Sequence, residues 1–370
     1  MTKDIPGGVI VRDPRTGEPT GILKDEAMGP VAAVIPVPSD EQRDRALHGA
    51  MEYAASKGVT AIAHVSVPAA DLGAYLRAKQ AGALTVRAAL YFPLQAWKQV
   101  ADTVARLGRG DDWVWIGGVK GHVDGSLGST TALFYQRYAE DPTTSGVLTT
   151  PEDSLRAWIG AADSAGLQVV VHAIGERANG ILLDIYDSVA QAHGPKDRRF
   201  RIEHAQHLRR SDIERIARSA VLASMQPYHA IDDGRWAEKR IGPERIKTTY
   251  AFRSLLDRGG ILAFGSDWTV APIDPILGIY AAVTRRTLDG KHPQGWVSEE
   301  KITVDEALRA YTAGNAYGVF AEGRRGKLAP GYLADLVLLD QDLSAIPPEA
   351  IETVQVRATV VGGKVVFSAP

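Results

Sequence analysis

The stretch ILAFGSDWTVAP, residues 261–272, is an apolar run that stops abruptly at Gly265, Ser266 and Asp267. A carboxylate at the mouth of a buried strand is costly unless it is paired, bound to a metal or used to cap a helix. The same design recurs upstream. TAIAHV (60–65), VRAALYF (86–92), VWIGGVKGHVDG (114–125), QVVVHAI (168–174), FRIEHAQ (200–206) and VLASMQP (221–227) are β-rich runs, each followed by a segment of helical periodicity. Runs so nearly continuous in apolar residues read as strands buried on both faces. Alternation of this length implies a parallel sheet, either doubly wound or closed into a (β/α)8 barrel. No Gly-rich dinucleotide fingerprint follows the first strand, and chemically useful residues stand at the ends of several different strands, which favours the barrel. Seven strands are countable, one short of closure.

Composition bounds the rest. The 370 residues are 45% hydrophobic and 23% charged, enough for a large core. A net charge of -2 and a pI near 6.5 offer nothing to nucleic acid, so a small-molecule substrate is expected. The absence of cysteine removes disulfides, thiolate metal sites and a cysteine nucleophile. No signal-peptide pattern or bilayer-length apolar run is present, so a cytoplasmic protein without membrane contact is expected, with a homo-oligomer open. Three units are expected: an N-terminal β-hairpin segment (1–30) turning at Pro14–Gly17, the barrel (31–325), and a β module (326–370) with a hairpin at Gly362-Gly363. Thr150-Pro151-Glu152-Asp153 predicts an N-cap followed by proline, and Thr303-Val304-Asp305-Glu306 has capping-box spacing.

Lys120, His172, His204 and Asp267 occupy the strand positions where a barrel gathers its chemistry. A histidine at a strand end is often a hydrogen-bonded structural residue. Two on successive strands about 4.8 Å apart can instead converge on one ion. Asp267 is either a third ligand or an N-cap. Alternation puts Lys120, His122 and Asp124 on one strand face. An interior lysine favours the neutral amine, which can react with carbon dioxide to give a metal-bridging carbamate; the plainer reading is a Lys120–Asp124 ion pair. His122 and Asp124 would line a pocket or support it from behind. Trp268, with the other tryptophans, would serve as core or pocket wall.

Together VKGHVDGSLGSTTA, HAIGERAN, RIEHAQ, ASMQPYHAIDD, FGSDWTVAP and GKLAPGYLADLVLLDQD, in that order, resemble the amidohydrolase superfamily, in particular the branch of N-substituted formamide deformylases. The resemblance covers nearly the whole chain. It implies a metal-binding (β/α)8 barrel joined to a small β-sandwich built from both chain ends. It also implies a divalent metal, zinc by preference and one or two ions. Its metal ligands would be Lys120 (carboxylated, on strand 4), His172 (strand 5), His204 (strand 6) and Asp267 (strand 8), with Asp267 also the general base toward the attacking water. His229, in MQPYHAIDD, would contact substrate or the oxyanion; otherwise it caps a turn. The reaction implied is hydrolysis of a non-peptide C–N bond, amide or formamide.

One family feature is missing. No His-x-His occurs, and His48 and His64 stand alone. The first barrel strand that would carry the pair is not found, so a truncated chain with weak or no activity, an open barrel and an unpartnered C-terminal β module is expected. The alternatives are a non-catalytic remnant and another barrel hydrolase, a deaminase or lactonase, because the ligands are shared among reactions.

Overall fold

The computed structural model describes residues 3–370. Its centre is a seven-stranded, wholly parallel sheet in strict sequential order. A hairpin precedes it, β1 (Gly8–Arg12) with β2 (Pro19–Asp25), and the parallel strands follow as β3 (Ala61–Val65), β4 (Arg87–Pro93), β5 (Val114–His122), β6 (Gln168–Ala173), β7 (Arg201–His204), β8 (Leu222–Met225) and β9 (Leu262–Phe264). Every apolar run singled out in the sequence supplies one of these strands. Sequential order with a helical crossover at each step is barrel winding, and the sheet curls as a barrel whose ring stays open between β3 and β9.

The burial pattern follows from position in that ring. All of β4 but Pro93 is buried, and β6 to β8 are almost wholly so, because helices cover their outer faces. β3 is more open, with Ala61 and Ala63 exposed, since no strand covers its outer edge among the described residues. The main apolar core fills the layer between sheet and helices. Inside the ring the apolar cluster is small, Ala89, Tyr91 and Val170. The interior is otherwise polar: Tyr91 donates to Gln168 at 2.7 Å, Arg201 donates to Tyr91 at 3.3 Å and to Glu203 at 2.7 Å, and Ser224 donates to Glu203 at 2.9 Å. These four hydrogen bonds partner Tyr91, Gln168, Arg201, Glu203 and Ser224 with one another, as a low-dielectric interior demands.

Helix starts confirm one local signal and shift another. Thr303 and Glu306 form a reciprocal capping box for the helix Val304–Arg309. The helix Glu152–Ser164 instead has Pro151 at its N-cap, and Thr150 makes no cap; the first turn relies on Glu152 and Asp153 against the helix dipole.

The chain ends depart from the expected composite sandwich. β1 and β2 form a sheet of their own, and β10 (Leu336–Leu339), β11 (Val356–Val361) and β12 (Lys364–Ser368) form another. The hairpin docks on the long loop after β5, where Lys24 Nζ donates to the Ser129 carbonyl at 2.6 Å. The C-terminal sheet lies at the opposite end of the ring. There Arg87 forms a buried ion pair with Asp335 at 2.7 Å, and Thr359 Oγ1 donates to the Ala55 carbonyl at 2.7 Å. Nor is this module unpartnered: β10 pairs along its length with β11, and β11 turns through Gly362 and Gly363, both at positive φ, into β12.

Candidate metal centre

Alternation along the strands aims the first two groups inward. Val170, an interior residue, shares its strand face with His172, and Lys120 points into the ring from β5. By the same rule Arg201 and Glu203 face inward on β7, which would send His204 outward. The backbone corrects this: His204 and Ala205 adopt positive φ (77° and 42°), ending the strand and re-aiming the imidazole over the mouth. Asp267, beyond β9, is also at positive φ (57°). Left-handed conformations in non-glycine residues cost on the order of 1–3 kcal/mol each, and they cluster at functional sites.

The side chains form a continuous arc at the C-terminal ends of the strands. Lys120 Nζ and His122 Nε2 are 3.1 Å apart, the His122 and His172 rings 5.3 Å, the His172 and His204 rings 4.5 Å, and the His204 and His229 rings 6.3 Å. His204, His229 and Asp267 each present a ligand atom, all within 4.8 Å of one another. His229, expected to contact substrate, thus lies with His204 and Asp267 where the three could hold a metal ion, in the short helix Pro227–Asp233. Its Nε2 is buried with no hydrogen-bond partner. Asp267 caps no helix, since the next one, Pro275–Thr284, is capped by Asp274.

Second partners fix which imidazole nitrogen is free. His204 Nδ1 lies 2.7 Å from Gln226 Oε1, an oxygen that can only accept, so Nδ1 carries the proton and Nε2 keeps its lone pair. His172 Nε2 donates to the Gly125 carbonyl at 3.0 Å and lies 3.4 Å from Asp124, which leaves Nδ1 free. Such outer bonds are the usual orienting device behind metal-bound histidines. Gln226 escaped the sequence reading, although its place beside Pro227 at the end of β8 was a usable signal.

Burial favours the neutral, lone-pair-bearing forms of His204 and His229. Burial holds His204 well below the ordinary histidine pKa, assisted by His172, Lys120 and His229. Burial also lowers His229, against the pull of Asp267. Burial brings Lys120 down to about 8, although Glu203 and Asp267 favour its charged form.

Two expected wall residues take other places. Asp124 is fully buried, accepting the backbone N–H groups of Leu133, Ile174 and Gly175 at 2.7, 3.0 and 2.8 Å; it clamps the long loop to the end of β6 and is not paired with Lys120. Trp268 is exposed and packs against Tyr53, with ring centroids 5.7 Å apart. His122 opens toward solvent at the mouth.

The donor set fits a divalent ion: two neutral imidazoles and a carboxylate in reach of one point, with one buried nitrogen lacking any protein partner. No described helix is long and apolar enough to cross a membrane.

Comparison with known proteins agrees with this picture. The chain is 39% identical to Protein LONG AFTER FAR-RED 3 of Arabidopsis thaliana over 99% of its own length and 64% of that protein's, so it spans just under two thirds of that relative. It is 27% identical to an N-substituted formamide deformylase of Arthrobacter pascens, over 96% of this chain and 67% of that protein. An uncharacterized metal-dependent hydrolase from Pyrococcus horikoshii OT3 superposes with a TM-score of 0.80 at 31% identity, covering 92% of this chain and 68% of that one. The model of the amidohydrolase family matches residues 1–367, and the chain belongs to that family.

Proposed function

We propose that the site is that of a metal-dependent hydrolase acting on a non-peptide C–N bond, of the amide or formamide type. The observation that carries the reading is the His204–His229–Asp267 cluster with its partnerless buried nitrogen. Relatedness to an N-substituted formamide deformylase supports the bond class.

His204 Nε2, His229 Nε2 and an Asp267 oxygen would hold the ion, zinc by preference for two imidazoles and a carboxylate. His172 Nδ1 and Lys120, once carboxylated, would hold it from the other side of the arc or take a second ion. Bound there, a divalent ion would polarise the substrate carbonyl and acidify water. Asp267 accepts the proton of the attacking water on its free carboxylate oxygen and returns it to the departing nitrogen, which leaves as an amine. Lys120 gains its carbamate as the neutral amine attacks carbon dioxide and loses a proton, a step helped by its lowered pKa. The loop after β5, clamped by Asp124, keeps His172 aimed through the Gly125 carbonyl.

The test is hydrolysis of an N-substituted formamide, a lactone and an aminopurine by the purified chain, before and after chelation and zinc return. Formamide turnover that disappears with chelation and returns with zinc is expected. Preference for the lactone or the aminopurine would reassign the reaction class. The lack of a His-x-His pair favours a second reading, a chain that binds metal without turnover, which metal uptake with no hydrolysis of any of the three would indicate.

A further inference from the structure

At the end of the ring opposite the metal centre, beneath the N-terminal ends of β5 and β6, lies a cavity of about 430 Å³. Five basic and three acidic side chains line it. The acids are already engaged. Asp111 pairs with Lys79 at 2.6 Å, Asp197 with Arg199 at 2.9 Å, and Asp163 receives His193, Lys196 and Arg198. None is left to balance the remaining cations.

Two of the lining cations, Arg325 and the already paired Arg198, have unused donors. Arg325 is nine-tenths buried, its guanidinium stacked 4.3 Å over the Trp115 ring. Its Nη2 donates to the Asp112 carbonyl, but Nε and Nη1 are buried and have no partner. Arg324 already contacts the Asp112 carboxylate, which lies 3.7 Å from Arg325. Arg198, its side chain 8% exposed, gives Nε to Asp163 at 3.0 Å and leaves Nη2 buried without a partner. Arg109 spends its guanidinium on the carbonyls of Ile116, Gly117 and Gly166 and meets no carboxylate. An orphaned guanidinium N–H costs roughly 1–3 kcal/mol or more when buried, so several in one cavity call for an acceptor.

We propose that this cavity is a binding site for a small oxyanion, a phosphate or carboxylate group, gripped by the open edges of Arg325 and Arg198. The planar guanidinium matches both groups bidentately. Trp115 and Phe320 supply apolar wall for the body of an organic anion. The site is separate from the metal centre, and its occupancy does not depend on the hydrolytic reading.

The test uses the intact chain stripped of metal, so that no ion at the mouth can capture the probe. Inorganic phosphate, and separately citrate, is titrated calorimetrically and in thermal melts against sodium chloride of equal ionic strength. Binding should raise the unfolding midpoint by a few degrees near saturation. Arg325→Gln should weaken it at least tenfold, and Asp267→Asn should leave it unchanged. If Arg325→Gln does not fold, Arg198→Lys, which keeps the charge opposite Asp163 but loses the free fork, should show the same weakening. A preference for phosphate or for citrate identifies which oxyanion the site takes. No binding of either probe, binding unaffected by the arginine variants, or binding abolished by Asp267→Asn would overturn the proposal.

Discussion

Gln226 and His229 are the residues through which the metal centre is most directly questioned. The Gln226 side-chain oxygen, Oε1, orients His204 at 2.7 Å without being a ligand itself. Gln226→Leu should therefore weaken metal affinity about 10–100-fold while leaving the fold in place, as loss of an outer partner typically does; competition with a chromogenic chelator measures it. His229→Ala should lower metal stoichiometry. If it raises only KM and leaves metal content intact, His229 is a substrate contact and the ion rests on His204, Asp267 and His172. Lys120 makes its own prediction: bicarbonate should increase metal uptake by the wild-type chain but not by Lys120→Gln, since only a lysine amine forms the carbamate. His204 and Asp267 were legible as chemistry from their strand ends. Their left-handed backbones were not, because nothing in RIEHAQ or FGSDW other than function calls for positive φ.

At the scale of elements, the loop after β5 links the N-terminal hairpin to the site. A Cβ on Gly125 would lie 2.0 Å from Thr131 Oγ1 and 2.6 Å from Asp25 Oδ1, while the Gly125 carbonyl holds His172. Gly125→Ala should therefore both destabilise the loop and reduce metal affinity, read together by hydrogen exchange over 125–149 and by metal titration. Behind the mouth, Asp233 is buried with Gln206 and Tyr250, each donating at 2.6 Å, and burial raises its pKa to about 7. The native state thus holds a proton that the unfolded chain releases near pH 4. This stabilisation is complete below about pH 4 and is lost as pH rises toward about 7. Urea unfolding across that range should show it, and Asp233→Asn should flatten the slope. The seven strands were readable because each is a β-rich run followed by helical periodicity. The service of Asp124 as a backbone clamp was not, because it depends on amides more than 40 residues away, at Ile174 and Gly175.

For the molecule as a whole, the open ring is the dominant feature. The outer edges of β3 and β9 have no strand partner among the described residues, and free edges recruit strands from elsewhere. A longer polypeptide in which a further strand joins β3 to β9 should melt higher and hydrolyse faster than the 370-residue chain, compared side by side; equal melting points and rates would show the open ring to be harmless. The barrel winding was legible from the strand–helix alternation together with the chemically useful residues at the ends of several strands. Separation of the two end sheets was not, because which surface a hairpin docks on is set by contacts such as Lys24 with Ser129, over 100 residues apart. The most direct test of the central claim is anomalous scattering at the zinc edge from crystals of the zinc-loaded chain. The account predicts a peak bonded to His204, His229 and Asp267 at the C-terminal mouth. A peak elsewhere, or none at that mouth under saturating zinc, would contradict it.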